Sequence, residues 1–134
     1  MFQISAKTDY GLLIMLELAR QEGKVVPLSP LAKRLKVSSP YLSRIANSLQ
    51  KAGLVESREG AGGGYLLSRP AAKIPMISIL EALSGELKVR CSHSGGVCPH
   101  FGECGLKSAW PLLIGDLKKS LAKKSLGTLL QTRY

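Results

Sequence analysis

A chain of 134 residues, 45% of them apolar, has the size and composition of one domain with one packed core, which excludes a large multidomain enzyme. Nineteen Lys and Arg against nine Asp and Glu leave a formal net charge of +10, so a polyanion is the expected partner and nucleic acid the first to test. The longest uncharged apolar run, Tyr10 to Leu16, is far short of the roughly 20 residues of a membrane span, and the start Met1-Phe2-Gln3-Ile4-Ser5 lacks the zones of a secretory signal; no membrane partner and a cytoplasmic location are expected.

The first predicted element is a helix from Thr8 to about Gln21, with Tyr10, Leu13, Ile14, Leu16, Leu18 and Ala19 on a broad apolar face and Gly23 as its stop. Ser29-Pro30 reads as an N-cap followed by proline at the first helical position, where the missing N–H costs nothing, and Leu31, Ala32 and Leu35 supply a short buried face. Ser39-Pro40 repeats that start signal after a turn of Lys36, Val37 and Ser38. In the helix that follows, Leu42, Ile45, Ala46 and Leu49 form one stripe, while Tyr41, Ser43, Arg44, Asn47, Ser48 and Lys51 face elsewhere, and Gly53 ends it.

Beyond Gly53 the pattern becomes strand-like. Residues 54–58 and 65–69 flank a turn containing Gly60, Gly62, Gly63 and Gly64, which predicts a hairpin. Helix, helix-turn-helix and hairpin in that order predict a winged helix, mainly α with a small β-hairpin wing over residues 54–69. From Lys33 to Arg58 six basic residues and one acidic residue give a local net of +5, so the charge is concentrated where such a fold meets double-stranded DNA. Ser38, Ser39, Tyr41, Ser43 and Arg44 are the candidates for base edges and adjoining phosphates, Arg44 being the candidate guanine reader. Lys33, Lys36, Lys51 and Arg58 are candidate phosphate contacts, with Gly62 and Gly63 at the wing tip.

After a linker punctuated by Pro70 and Pro75, a short helix is expected to open at Ser78, with Glu81 three residues on as a capping box. From Gly85 to Gly105 nothing is periodic, and the stretch holds Cys91, Cys98 and Cys104. A loop so rich in glycine and polar residues has no core of its own. A helix near Ser108, with Pro111 in its first turn, carries Trp110, Leu113, Ile114, Leu117 and Leu121 as an apolar ridge and Lys118, Lys119, Lys123 and Lys124 opposite. A single small chain offers that ridge no obvious internal partner, which predicts a homodimer; residues 125–131 add a short final turn. The expected division is residues 1–84 for the winged helix, 85–107 for the cysteine loop and 108–134 for the dimerisation helix and tail.

Three cysteines in fourteen residues admit burial, a thiol redox switch or metal binding. Zinc sites pair ligands two to four residues apart, and the intervals here are six and five. Thiolates spread around a loop suit an iron-sulfur cluster, which spans more space than one ion, and three of them leave a fourth ligand to be supplied from elsewhere.

Together, Ile4-Ser5 through Asp9-Tyr10, Val37-Ser38 through Tyr41-Leu42, Gly53-Leu54-Val55, the wing motif Gly60 to Leu67, the three cysteines and Trp110 resemble the winged-helix iron-sulfur transcription regulators typified by the iron-sulfur cluster assembly regulator (IscR) and the nitric-oxide-sensitive repressor (NsrR). The resemblance covers essentially the whole chain. It implies a homodimeric regulator whose operator affinity follows the state of a cluster held by Cys91, Cys98 and Cys104. In the IscR pattern a histidine three residues after the last cysteine completes a 2Fe-2S site; here that position is Lys107, which cannot ligate while protonated. In the NsrR-like pattern an aspartate near the start of the first helix reaches across the dimer to a 4Fe-4S site, and Asp9 stands at the matching place. A 4Fe-4S cluster is therefore favoured over 2Fe-2S, with His93, His100 and Glu103 as the other candidates for the fourth ligand. Where the pattern has an arginine just before the first wing glycine, this chain has Glu59, with Arg58 one residue earlier, so no operator sequence carries over.

The expectation is a non-enzymatic DNA-binding regulator, read as a repressor, with no small-molecule substrate. Its competitors are a cluster-free regulator of the same fold that senses thiols or a metabolite, and a small iron-sulfur electron-transfer protein.

Overall fold

The computed structural model of the chain describes residues 4–87 and 103–132. The first helix, α1, spans Ala6–Arg20 and starts two residues before the pattern predicted, because Ser5 is its N-cap: the Thr8 amide donates to Ser5 Oγ over 3.3 Å. Its face of Thr8, Gly11, Ile14, Met15, Leu18 and Ala19 is buried. Two short helices follow, α2 at Ser29–Leu35 and α3 at Ser39–Lys51. Each begins one position earlier than expected, so Ser29 and Ser39 are already helical; Leu28 and Ser38 stand at the caps, and only Ser38 caps with its side chain. Lys36 joins the two helices in the left-handed region at φ 58°, the Val37 amide closing back onto the Ala32 carbonyl over 3.0 Å. That cap turns the chain sharply enough for Val37 to fold onto the core.

The predicted stripe of α3 holds in full: Leu42, Ile45, Ala46 and Leu49 are all buried against α1 and its neighbours. Strands β1 (Val55–Arg58) and β2 (Gly64–Leu67) pair antiparallel in the register Val55↔Leu67 to Arg58↔Gly64, which makes the wing. A rung missing from the sequence reading ties its base down. Val26 and Tyr65 exchange both backbone hydrogen bonds, at 2.8 and 2.9 Å, so the loop after α1 lies along β2.

After a 3-10 turn at Ala71–Lys73, α4 runs from Met76 to Ser84. The capping box expected at Ser78 and Glu81 is absent. Pro75 is the N-cap, without a side-chain cap bond, and the Met76 amide donates to the Lys124 carbonyl over 2.8 Å, so a distant segment sets the helix start. Helix α5 covers Leu106–Lys123, which makes Pro111 its sixth residue and not part of the first turn. It is earlier than predicted because the Lys107 amide already donates to the Cys104 carbonyl at 3.2 Å. The final predicted turn is a helix, α6 (Leu126–Gln131), with a reciprocal cap between Ser125 and Thr128. Leu126 is fully buried and α6 packs on α1 and the 3-10 turn.

Among the described residues one apolar core joins α1, α2, α3, α4, the wing base and Leu126. No described helix is long and apolar enough to cross a membrane. Helix α5 lies at the edge of this core: it packs on α4 and rests Leu121 against the core, but none of its residues is buried.

Candidate DNA-recognition face and cysteine site

The side of α3 opposite its buried stripe is presented by its own first two turns. Ser38 Oγ accepts the Tyr41 amide at 3.3 Å, so this hydroxyl holds the helix start as well as standing at its exposed end. Ser39 and Ser43 are half-buried and Arg44 is exposed. The Arg44 guanidinium makes no hydrogen bond or ion pair among the described residues, which leaves its planar donor array free for a base edge or phosphate. Tyr41 is placed differently from a simple base reader: its ring meets Tyr10 of α1 edge to face, with centroids 5.7 Å apart and planes at 86°.

Lys33, Lys36 and Lys51 are exposed and form no ion pair among the described residues. Two other basic residues of the same segment are already committed. Arg34 pairs with Glu17 of α1 at 2.8 Å, which ties α2 to α1, and Arg58 pairs with Glu56 on the wing at 3.2 Å. The positive charge facing outward is therefore centred on Lys33, Lys36, Arg44 and Lys51, with Arg58 available only in competition with Glu56. Gln50 donates from Nε2 to Ser57 Oγ over 3.1 Å, linking the end of α3 to β1. No sequence signal singled out Gln50, Glu17 or Tyr10 for these contacts, because each partner lies on another element.

At the wing tip, Gly62 has φ +75° and open space around it, whereas a β-carbon on Gly63 would come within 2.5 Å of the Arg58 carbonyl oxygen. At Gly64 a β-carbon would overlap the backbone of Val26 and Pro27. Gly62 is thus needed for its backbone angle, and Gly63 and Gly64 for the close approach of other backbone segments.

Of the predicted cluster ligands, Cys104 is a free, half-exposed thiol two residues before α5, and Asp9 is exposed in the first turn of α1. Cys91, Cys98, His93 and His100 lie outside the described residues; Glu103 is exposed beside Cys104. Among the described residues no three His, Cys, Asp or Glu side chains converge on one point. The donor chemistry fits an iron-sulfur cluster: soft sulfur donors in a short segment, one of them free and half-exposed, and a carboxylate on an exposed helix start.

Among the described residues α5 exposes Leu106, Trp110, Leu112, Leu113 and Leu117, and α1 exposes Leu13, with Ile4 ahead of that helix. Lys118, expected on the solvated side, instead lies 3.7 Å from both Glu81 on α4 and Glu86 beyond it, and Leu121 packs on the core. The predicted ridge is exposed at Trp110, Leu113 and Leu117 among the described residues.

The family model described as "Rrf2: Iron-dependent Transcriptional regulator" matches residues 4–132. The chain belongs to the Rrf2 family. It is 32% identical over 133 residues to the HTH-type transcriptional regulator IscR of Escherichia coli, covering 98% of this chain and 82% of that one. Among solved structures, the global cysteine regulator CymR of B. subtilis superposes with a TM-score of 0.80 at 31% identity over the full length of both chains. T. potens IscR does so with a TM-score of 0.71 at 31% identity, over 99% of this chain and 93% of that one. This Rrf2 protein is accordingly a winged-helix, DNA-binding transcriptional regulator and not an enzyme.

Proposed function

We propose that this Rrf2 regulator binds its operator as a homodimer and adjusts that binding through an iron-sulfur cluster held by Cys91, Cys98 and Cys104, with Asp9 of the partner subunit as fourth ligand. The observation that carries the reading is the cysteine triad, with its one described member a free thiol at the foot of the exposed helix α5, in a member of a family described as iron-dependent. A 4Fe-4S cluster suits this donor set better than 2Fe-2S, because Lys107 occupies the position of the IscR-pattern histidine. When bound, the cluster supplies a centre whose presence or oxidation state reports iron-sulfur status, redox state or nitric oxide. The protein's own part is to present Arg44, Ser38, Ser39 and Ser43 to the major groove, to hold phosphates with Lys33, Lys36, Lys51 and Arg58, and to lay Gly62 and Gly63 along the backbone.

Two protomers joined through the α5 ridge would present two such faces at a fixed spacing, as a palindromic operator requires. A second reading, cluster-free sensing of thiols or a thiol metabolite, is supported by the full-length likeness to a protein described as a global cysteine regulator. Anaerobic isolation with iron and sulfide determination separates them. The cluster reading expects iron and sulfide in the wild type and their loss in Cys104→Ser, together with altered binding to a duplex selected from a random pool. Wild-type protein that takes up neither iron nor sulfide overturns it in favour of the thiol reading.

A further inference from the structure

Two adjacent residues of α1 face two different parts of the molecule. Tyr10 meets Tyr41, in the first turn of the recognition helix, edge to face at 5.7 Å. Gly11 faces Leu83 near the end of α4, so closely that a β-carbon on it would press to 2.5 Å from Leu83 Cδ1. Two residues beyond Leu83, at Gly85, the chain leaves α4 for the cysteine segment. The next residue back along α1 is the exposed Asp9, whose amide donates to the Ser5 carbonyl at the helix cap over 3.1 Å. One turn of α1 is therefore gripped by the recognition helix on one side and by the root of the cysteine segment on the other.

Tyr41 is held twice. Its amide donates to Ser38 Oγ and its ring rests on Tyr10, so a change in the position of Tyr10 reaches both the cap and the first turn of α3. Both rings are only half-buried and pack against the core edge, where a small displacement leaves the buried stripe of Leu42, Ile45, Ala46 and Leu49 intact. We infer that Tyr10 and Tyr41 are a positioning pair: through their ring contact the first turns of α1 set the angle at which α3 meets DNA, and so carry the state of the cysteine site to the operator. This deepens the cluster reading and rests on it for the nature of the signal, although the positioning role itself does not.

The test uses the full-length protein and a duplex selected by the wild type from a random pool, against a scrambled duplex. Tyr10→Phe keeps the ring contact and Tyr10→Leu removes it; Tyr10→Met refills the volume without a ring should the leucine variant not fold. An edge-to-face pair is worth about two- to tenfold in an equilibrium, and Tyr10→Leu should lose that much preference for the selected duplex in the cluster-free protein while Tyr10→Phe retains it. Anaerobically reconstituted wild type should differ from cluster-free wild type by about fivefold or more in operator affinity, and that ratio should collapse in Tyr10→Leu at equal iron content. Unchanged selectivity in Tyr10→Leu and Tyr10→Met overturns the positioning role. An intact ratio in Tyr10→Leu overturns the coupling while leaving the cluster reading standing. Failure of the wild type to take up iron and sulfide overturns the cluster reading and its coupling, and the selectivity comparison then decides the positioning role alone.

Discussion

Gln50, in the last turn of α3, donates a hydrogen bond to Ser57 on β1 over 3.1 Å, so the helix and the wing of the proposed DNA-binding face are joined by side chains as well as by the chain between them. A part-buried neutral bond of this kind contributes about 0.5–1.5 kcal/mol. Gln50→Ala should lower stability by that amount in urea titration with an unchanged m-value. It should also loosen the wing, seen as faster amide exchange at β1 and β2 than at the buried stripe of α3.

Arg44 and the exposed lysines should separate base reading from phosphate binding. Arg44→Ala is expected to cost about 1–3 kcal/mol on a selected duplex and little on random DNA. Lys36→Ala should weaken both duplexes alike and reduce the slope of log affinity against log salt by about one. Fluorescence anisotropy across a salt series measures both effects.

Glu56 holds Arg58 at 3.2 Å, with both side chains about half exposed. Such a pair is worth about 0–1 kcal/mol, so breaking it should leave the fold intact. Glu56→Gln removes the negative charge that competes for the guanidinium, which keeps its bond to the Ser57 carbonyl at 3.1 Å, and should therefore tighten DNA binding, most at low salt, where phosphate attraction is screened least. Equal binding by the variant and the wild type at every salt concentration would remove Arg58 from the phosphate contacts.

Two glycines of the wing motif should respond differently to alanine. At Gly62 the β-carbon has open space and only the left-handed backbone opposes it, a cost of about 1–2 kcal/mol. At Gly64 the same atom overlaps the Val26 backbone, which cannot rotate aside as a side chain would. Gly64→Ala should cost about 1–3 kcal/mol or more by overpacking, open the Val26–Tyr65 rung and show the larger fall in Tm by calorimetry.

Leu113 is 54% exposed on the α5 ridge between Trp110 and Leu117. Leu113→Glu should convert a dimer to monomer in sedimentation velocity, while leaving the helix content of the winged-helix core at its wild-type level by circular dichroism, because Leu113 is not part of that core. Operator affinity should fall more steeply than affinity for a half-site, since only the dimer binds both halves.

The winged-helix order, the stripe Leu42, Ile45, Ala46 and Leu49, the hairpin and the apolar ridge of α5 were legible in the sequence alone, because helical and strand periodicity and turn chemistry are local properties. The basic segment and the cysteine triad were equally legible as chemistry. Local signals misplaced the start of α4: a plausible cap at Ser78 lost to Pro75 and the Lys124 carbonyl, a partner far along the chain. Tertiary approach likewise decided that Arg34 is spent on Glu17, that Lys118 turns toward Glu81, that Gly64 lies against Val26 and that Tyr41 rests on Tyr10. Composition and spacing determine which groups a chain owns and which face of its own element each occupies. Only packing between elements determines which of those groups remain free to meet DNA and which are already engaged in holding the surface that does so.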